Sequence, residues 1–245
     1  MPRIIINDDL DSFSDAAVKA IHAVIQQATN LGNNVSIGLS GGSMPTQISP
    51  GLLALKDVDW RRVHFFFCDE RVVPFNSPES TYGVYKALLF DRLPDLPVEN
   101  VHKISVEGTA AEAAAKYQSD IMIFFGTDQG YPAFDLLLLG LGPDGHTCSL
   151  FPNHELLSTE DLVVAPITDS PKPPPNRVTL TLPVINKSKH VAFLVTGQSK
   201  AEVVAKIIQG NEPQPLYPAS LVQPFEGQAT WYLDRAAAQL LKTAN

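Results

Sequence analysis

A histidine two residues after an aspartate, inside a glycine-rich turn, is the part of this 245-residue sequence best suited to moving protons. The stretch is GLGPDGHTCSLFP, residues 140 to 152, and it carries Asp144 and His146. Histidine gains and loses a proton near neutrality more readily than any other side chain. Gly140, Gly142, Pro143 and Gly145 force tight turns around the pair. Other polar clusters stand where apolar runs end. In Ser40-Gly41-Gly42-Ser43, the glycines let backbone approach a ligand, and the free amides of a following helix suit a phosphate. Asp69-Glu70-Arg71 offers a guanidinium to an anion or to a developing oxyanion. Arg177 and Lys200 each lie near a strand terminus or a helix start.

Competing chemistry is present in the same residues. Gly38-Leu39-Ser40-Gly41-Gly42 matches a nucleophile elbow, with Ser40, Asp69 and His146 in the order Ser, Asp, His. Only one strand and one helix precede Ser40, too little to supply the loop that completes an oxyanion hole. Gly140-x-Gly142-x-x-Gly145 matches a dinucleotide fingerprint, but Asp144 in the turn would repel a pyrophosphate. Cys148 follows His146 closely, yet on the helix expected there the two side chains diverge, which disfavours a Cys–His nucleophile. The remaining histidines lack metal-ligand spacing, and no zinc or P-loop pattern occurs. Neither a metal nor a cofactor is expected.

These residues need a scaffold. Apolar runs at Arg3 to Ile6, Val35 to Leu39, Val63 to Cys68, Phe134 to Leu139, His190 to Val195 and Thr230 to Leu233 read as strands. Shorter candidates are Val101 to Ile104, Val163 to Ile167 and Arg177 to Leu182. A helix capped by Ser12 or Ser14 runs to about Asn30. Pro45 opens a second helix, which Pro50-Gly51 is expected to break or kink. Further helices are expected from Ser80-Thr81 to Phe90, Ala110 to Phe125, Ser199 to Gln209 and Asp234 to Leu241. Ser170 to Asn176 reads as a stiff, polyproline-like loop. Strands alternating with helices predict a layered α/β fold with a mainly parallel sheet, in one domain spanning residues 1–245. Ligands of such sheets bind off the carboxyl ends of the strands, where His146 falls.

The composition is 44% hydrophobic and 18% charged, ordinary for a packed core. A net charge of −8 excludes a general nucleic-acid binder, though not a local cationic pocket. No leader pattern and no run of membrane-spanning length occurs, so the expectation is a cytoplasmic protein without membrane contact. A monomer is expected. Cys68 and Cys148 read as free thiols.

The segments GLSGGSMP, DWRRVHFFFCDERVVP, NSPESTYG, LLLLGLGPDGHTCSLFP, PPPNRVTLTLPVIN, VTGQSKAEVV and YPASLV, in this order, resemble the 6-phosphogluconolactonase family over most of the chain. The resemblance implies a Rossmann-like α/β sheet with a small accessory region, of the glucosamine-6-phosphate deaminase and ribose-5-phosphate isomerase type. It implies a sugar-phosphate lactone as substrate, hydrolysed to 6-phosphogluconate in the oxidative pentose phosphate pathway. His146 would take a proton from water and return it to the ring oxygen, without metal or covalent intermediate. Ser40, Gly41, Gly42 and Ser43, with Arg177 and Lys200, would hold the phosphate. Arg71 would serve either phosphate or carbonyl, and Asp69 or Asp144 would orient His146 or meet sugar hydroxyls. An isomerase or deaminase on the same fold, and a sugar-phosphate sensor, are the alternatives. The chain departs from the family pattern at Met44, Cys68, Cys148 and Pro50-Gly51, none of which removes a reacting group.

Overall fold

Solid apolar strands arise here because the inner strands of the sheet have a core on both of their faces. The computed structural model describes residues 2–210 and 217–242. In chain order the strands are β1 (Arg3–Asn7), β2 (Val35–Leu39), β3 (Val63–Phe67), β4 (Asp69–Arg71), β5 (Leu136–Leu139), β6 (Val164–Ile167), β7 (Arg177–Leu180), β8 (Val191–Val195) and β9 (Thr230–Asp234). The helices are α1 (Leu10–Thr29), α2 (Met44–Ala54), α3 (Thr81–Leu88), α4 (Ala110–Phe125), α5 (Leu182–Lys187), α6 (Ala201–Gln209) and α7 (Arg235–Ala238). In β3, Phe65 and Phe67 point into the core under α1, α2 and α3, while Phe66 points into the core under α4. Leu136 and Leu138 of β5 divide from Leu137 and Leu139 in the same way. Both faces of the sheet are therefore covered, as expected of parallel strands joined by helices.

The main sheet has the order β1-β9-β8-β5-β2-β3, with every neighbouring pair parallel. After β2 the chain moves outward to β3. After β5 it moves the opposite way, to β8 and β9. The boundary between β2 and β5 is thus the switch point, where the departing loops splay apart and leave a crevice. The SGGS turn leaves β2, and the loop bearing His146 leaves β5.

A second, antiparallel sheet of order β4-β7-β6 forms the accessory region. The chain crosses into it at Cys68, whose N–H still donates to Leu39 of the main sheet while its carbonyl accepts from Leu180. In the sequence Asp69-Glu70-Arg71 reads as the charged end of β3. It is instead a strand of its own, paired with Arg177 to Thr179. Period-two alternation puts Asp69 and Arg71 on one side and Glu70 on the other. Glu70 is fully buried and accepts from the amides of Thr81 and Tyr82 at 2.9 and 2.7 Å, which fixes the start of α3 beside the site.

Several expected elements differ. Asp9 caps α1 one turn ahead of the serines, with Ser12 completing a reciprocal capping box. Helix α2 runs through Pro50 to Ala54. Pro50 is exposed, and Gly51 packs so closely on Val18 of α1 that a Cβ there would come within 2.6 Å. Packing of the two helices outweighs the one backbone hydrogen bond that proline removes. Val101 makes a single bridge to Phe65 rather than a strand. No helix follows His146: residues 147–150 form a turn closed by a bridge between Thr147 and Leu150. The short α5 was not expected, and α7 ends at Ala238. Among the described residues no helix is long and apolar enough to cross a membrane.

One half-buried polar pair lies away from the crevice. Nδ1 of His64 and Nε2 of His102 are 3.1 Å apart, beneath Phe66 and Phe124. One ring must donate and the other accept, so the pair cannot hold two imidazolium ions. Burial, then repulsion from His64, pushes His102 down to about 4, with Asp120 opposing. Burial also lowers His64, against Glu99. Histidines depressed in the folded state favour it fully above their unfolded value near 6.5, and that contribution is lost as pH falls toward about 4. Urea unfolding measured across that window should show a steeper loss of stability in the wild type than in His102→Phe. An unchanged slope would show that this pair does not titrate with unfolding.

Candidate active site

Gly142 explains how His146 is held. Its N–H donates to the His146 carbonyl at 2.8 Å, so the loop folds back on itself. The imidazole then lies directly across Gly142, where a Cβ would collide with Nδ1 and Cε1 of His146 and stand 2.6 Å from Oδ1 of Asp144. Gly145 has φ +83°, and Tyr217 packs against it where a side chain would go. The ring of Phe151 lies 4.7 Å from the His146 ring, centroid to centroid, and forms its floor.

Within this loop Nδ1 of His146 is 2.5 Å from Oδ1 of Asp144. A bond that short requires a proton between them, so Nδ1 carries the hydrogen and donates to the carboxylate. Nε2 is left with its lone pair. Burial drives His146 toward the neutral form; Asp144 opposes this through its hydrogen bond and charge, and Lys172 reinforces it. The result is a histidine below its ordinary value, neutral at pH 7 and able to accept a proton. Burial alone would raise Asp144, but the bond from His146 and the nearby Lys172 hold its carboxyl below the usual range. Of the two acids considered, Asp144 contacts the imidazole. Asp69 accepts from Ser149 Oγ at 2.8 Å and lines the cleft.

The cleft has a volume of about 260 Å³ and is bordered by the SGG turn, β4, the His146 loop and the proline loop. A recess of about 150 Å³ adjoins it, shared through Gly41, Gly42, Gly140, Leu141 and Lys200 and reaching Ser43 and Thr196. Gly41 is pressed against Thr81, and Gly42 has φ +71°. The N–H groups of Gly41, Gly42 and Ser43 donate to no protein acceptor among the described residues. They form an open cradle of donors ahead of α2. Ser40 Oγ is buried and also without a partner. Because Asp69 bonds Ser149 and Ser40 Oγ bonds nothing, the elbow's serine triad is not assembled. The missing helix after His146 likewise removes the context of the dinucleotide fingerprint.

Four cations line the cleft, Arg71, Lys172, Arg177 and Lys200, against the carboxylate of Asp69. The chain as a whole is at −8. Charges farther than about 8 Å are largely screened at physiological salt, so the local sign governs an entering ligand. Arg71 is steadied by the Glu79 carbonyl at 2.8 Å. Arg177 is buried and spends most of its donors on the proline loop, giving Nε to Pro174 and Nη2 to Lys172 and Pro173. Its Nη1 reaches Ser149 at 3.4 Å. Lys200 is half-buried at the start of α6; burial and then Lys172 lower its pKa, against Asp144. Lys172 was missed in the sequence. It stands in the loop read only as a stiff connector, and its sole signal there was being the one charged residue among prolines. No cluster of three or more His, Cys, Asp or Glu side chains suited to a metal is found among the described residues.

Fold and cleft together define an α/β protein with a cation-lined crevice and an open proton acceptor at the switch point of its sheet. The model of the glucosamine-6-phosphate isomerase/6-phosphogluconolactonase family matches residues 8–231, and the chain belongs to that family. It is 50% identical over 210 residues to 6-phosphogluconolactonase of Homo sapiens, covering 84% of this chain and 80% of that one. The structure of 6-phosphogluconolactonase from Trypanosoma cruzi is similar with a TM-score of 0.87 at 30% identity, over 99% of this chain and 97% of that one. A monomeric glucosamine-6-phosphate deaminase shares the fold, with a TM-score of 0.79 at 21% identity over 97% and 99% of the two chains.

Proposed function

We propose that this chain hydrolyses 6-phospho-D-glucono-1,5-lactone to 6-phospho-D-gluconate in the oxidative pentose phosphate pathway. The observation that carries the mechanism is the geometry of His146: Nδ1 is tied to Asp144, and Nε2 is free in a cleft lined by cations. The phosphate lies in the recess, against the amides of Gly41, Gly42 and Ser43 and the ammonium of Lys200. That places the lactone ring in the main cleft. Ser40 Oγ, buried without a partner, gains one from the ligand.

Nε2 of His146 takes a proton from water as the oxygen attacks C1. Negative charge builds on the carbonyl oxygen, and Arg71, which borders the cleft but not the recess, receives it. The bond from C1 to the ring oxygen then breaks, and the imidazolium returns its proton to that oxygen, leaving a C5 hydroxyl. Asp144 holds the ring in one tautomer and balances the charge that appears on it. Asp69 meets sugar hydroxyls. Arg177 anchors the proline loop and lends its charge with one N–H of Nη1. Binding energy at the phosphate positions C1 against the water.

The test generates the lactone in situ from glucose 6-phosphate and follows 6-phosphogluconate with excess 6-phosphogluconate dehydrogenase. The lactone opens by itself, so the rate is read against a control without protein. Acceleration by the wild type is expected. Its absence, with ammonia released from glucosamine 6-phosphate instead, would replace the reading by a deaminase; binding without any turnover would indicate a sensor. Lys200→Ala should chiefly weaken affinity for 6-phosphogluconate. Equal wild-type affinity for gluconate and 6-phosphogluconate would contradict the phosphate recess.

A further inference from the structure

Lys172 is an unusual neighbour for a proton acceptor. Its Nζ lies 3.2 Å from Oδ1 of Asp144 and 3.3 Å from Nδ1 of His146. Nδ1 already carries a hydrogen directed at Asp144, so it has no lone pair to offer the ammonium. Lys172 therefore donates to Asp144, and its closeness to the imidazole acts through charge alone. Two donors from different loops converge on one carboxylate oxygen.

We propose that Lys172 is a positioning residue that fixes the protonation state of the His146–Asp144 pair. The ammonium keeps Asp144 anionic and penalises a proton on Nε2, so the imidazole rests as the free base. Left to Asp144 alone, a bond of 2.5 Å to a carboxylate would favour the imidazolium, which cannot activate water. Burial first, and Lys172 beside it, offset that pull until the reaction itself supplies the proton.

The backbone around Lys172 is built to hold it there. Its carbonyl accepts from Arg177 Nη2 at 2.9 Å and from Ser170 Oγ at 2.8 Å, and its N–H points back to Ser170 Oγ at 3.3 Å. Arg177 also binds the next two carbonyls, and its guanidinium lies over Phe151, the ring that floors His146. One buried arginine thus ties together the loop that brings the lysine and the surface that carries the histidine.

Other charged and titratable groups face His146 from each side. Asp144 comes from its own loop, Asp69 from β4 and Lys172 from the proline loop. Lys200, from the start of α6, feels the charges of Lys172 and Asp144. Arg177 reaches the ring only through Phe151. The Cys148 thiol, pushed up by its contact with Cys68 and by burial, stays neutral. Of the cations, Lys172 is the one in contact with the imidazole.

The experiment is a histidine-selective NMR titration of the free protein, with His146 assigned by the loss of its signal in His146→Gln. In Lys172→Met the His146 pKa should rise by about one unit, the size expected of a unit charge at such a distance near the protein surface. Lys172→Arg should keep the wild-type value. The other histidines, titrating as before, report that each variant is folded. An unchanged His146 value in Lys172→Met would overturn the proposal, as would an equal shift in Lys172→Arg, which would point to packing instead of charge. The activity arm rests on the lactonase reading: the acid limb of kcat/KM should move up with the titration in Lys172→Met. A change confined to affinity for 6-phosphogluconate, without a shift, would make Lys172 a ligand contact and also overturn it. Because the titration needs no substrate, a failure of the lactonase reading leaves it intact as a test.

Discussion

His146→Ala and His146→Gln should lower turnover by about 10²- to 10⁴-fold, the usual worth of one general acid–base group, while affinity for 6-phosphogluconate is retained. The split follows from where the side chain sits. His146 borders the main cleft and is absent from the recess, so the phosphate contacts survive its removal. The lactone's own opening sets the floor of the measurement. Ser40→Ala is the informative partner, since Ser40 Oγ hydrogen-bonds to neither His146 nor Asp69. It should weaken binding and leave kcat largely in place. Turnover near wild type in both His146 variants would remove the general base, and an equal collapse in Ser40→Ala would restore a serine nucleophile. The pH profile has a definite sign. The neutral imidazole is the active form, and burial first, then Lys172, holds it below an ordinary histidine against the pull of Asp144. The acid limb of kcat/KM should therefore have its midpoint below about 6.5.

Gly142→Ala should cost about as much without removing a single reacting atom. The added methyl would occupy the space of the imidazole and press on Asp144. His146 and Asp144 must then rotate or the loop must open, and a catalytic group displaced by about 1 Å can lose 10²-fold. The expected result is a kcat at least about a hundredfold lower with unchanged affinity for 6-phosphogluconate, since Lys200 and the amide cradle are untouched. Wild-type kcat in this variant would mean that His146 does not need to lie against Gly142 during the reaction.

Much of this arrangement was legible because parallel strands buried on both faces leave solid apolar runs. The loops that follow β2 and β5 could be found by reading where those runs stop. The fate of Asp69-Glu70-Arg71 was not legible. Three polar residues after a strand look like its solvated end, and only the pairing with β7, more than a hundred positions later, turns them into a strand. Lys172 was hidden for a related reason. Its partners Asp144 and His146 come from another loop, and a lysine among prolines carries no periodicity. Arg177 was visible as a cation, but nothing in the sequence indicated that its donors go to carbonyls of its own loop. Pro50 misled because proline's cost to an isolated helix is local, whereas the close seat of Gly51 on Val18 is tertiary.

The placing of β9 between β1 and β8 has a consequence for how the polypeptide is made. Among the described residues β1 pairs with β9 alone, with Arg3 opposite Thr230. During translation β1 therefore has no partner until β9, more than two hundred residues later, has left the ribosome. At about 5–20 residues per second that interval is on the order of ten seconds or more. Once β8 has emerged, and until β9 follows, the growing chain shows two unsatisfied sheet edges, β1 and β8. Strand β9 closes both at once, so a ribosome that stalls shortly before it releases a product with two adhesive edges and no way to cover them.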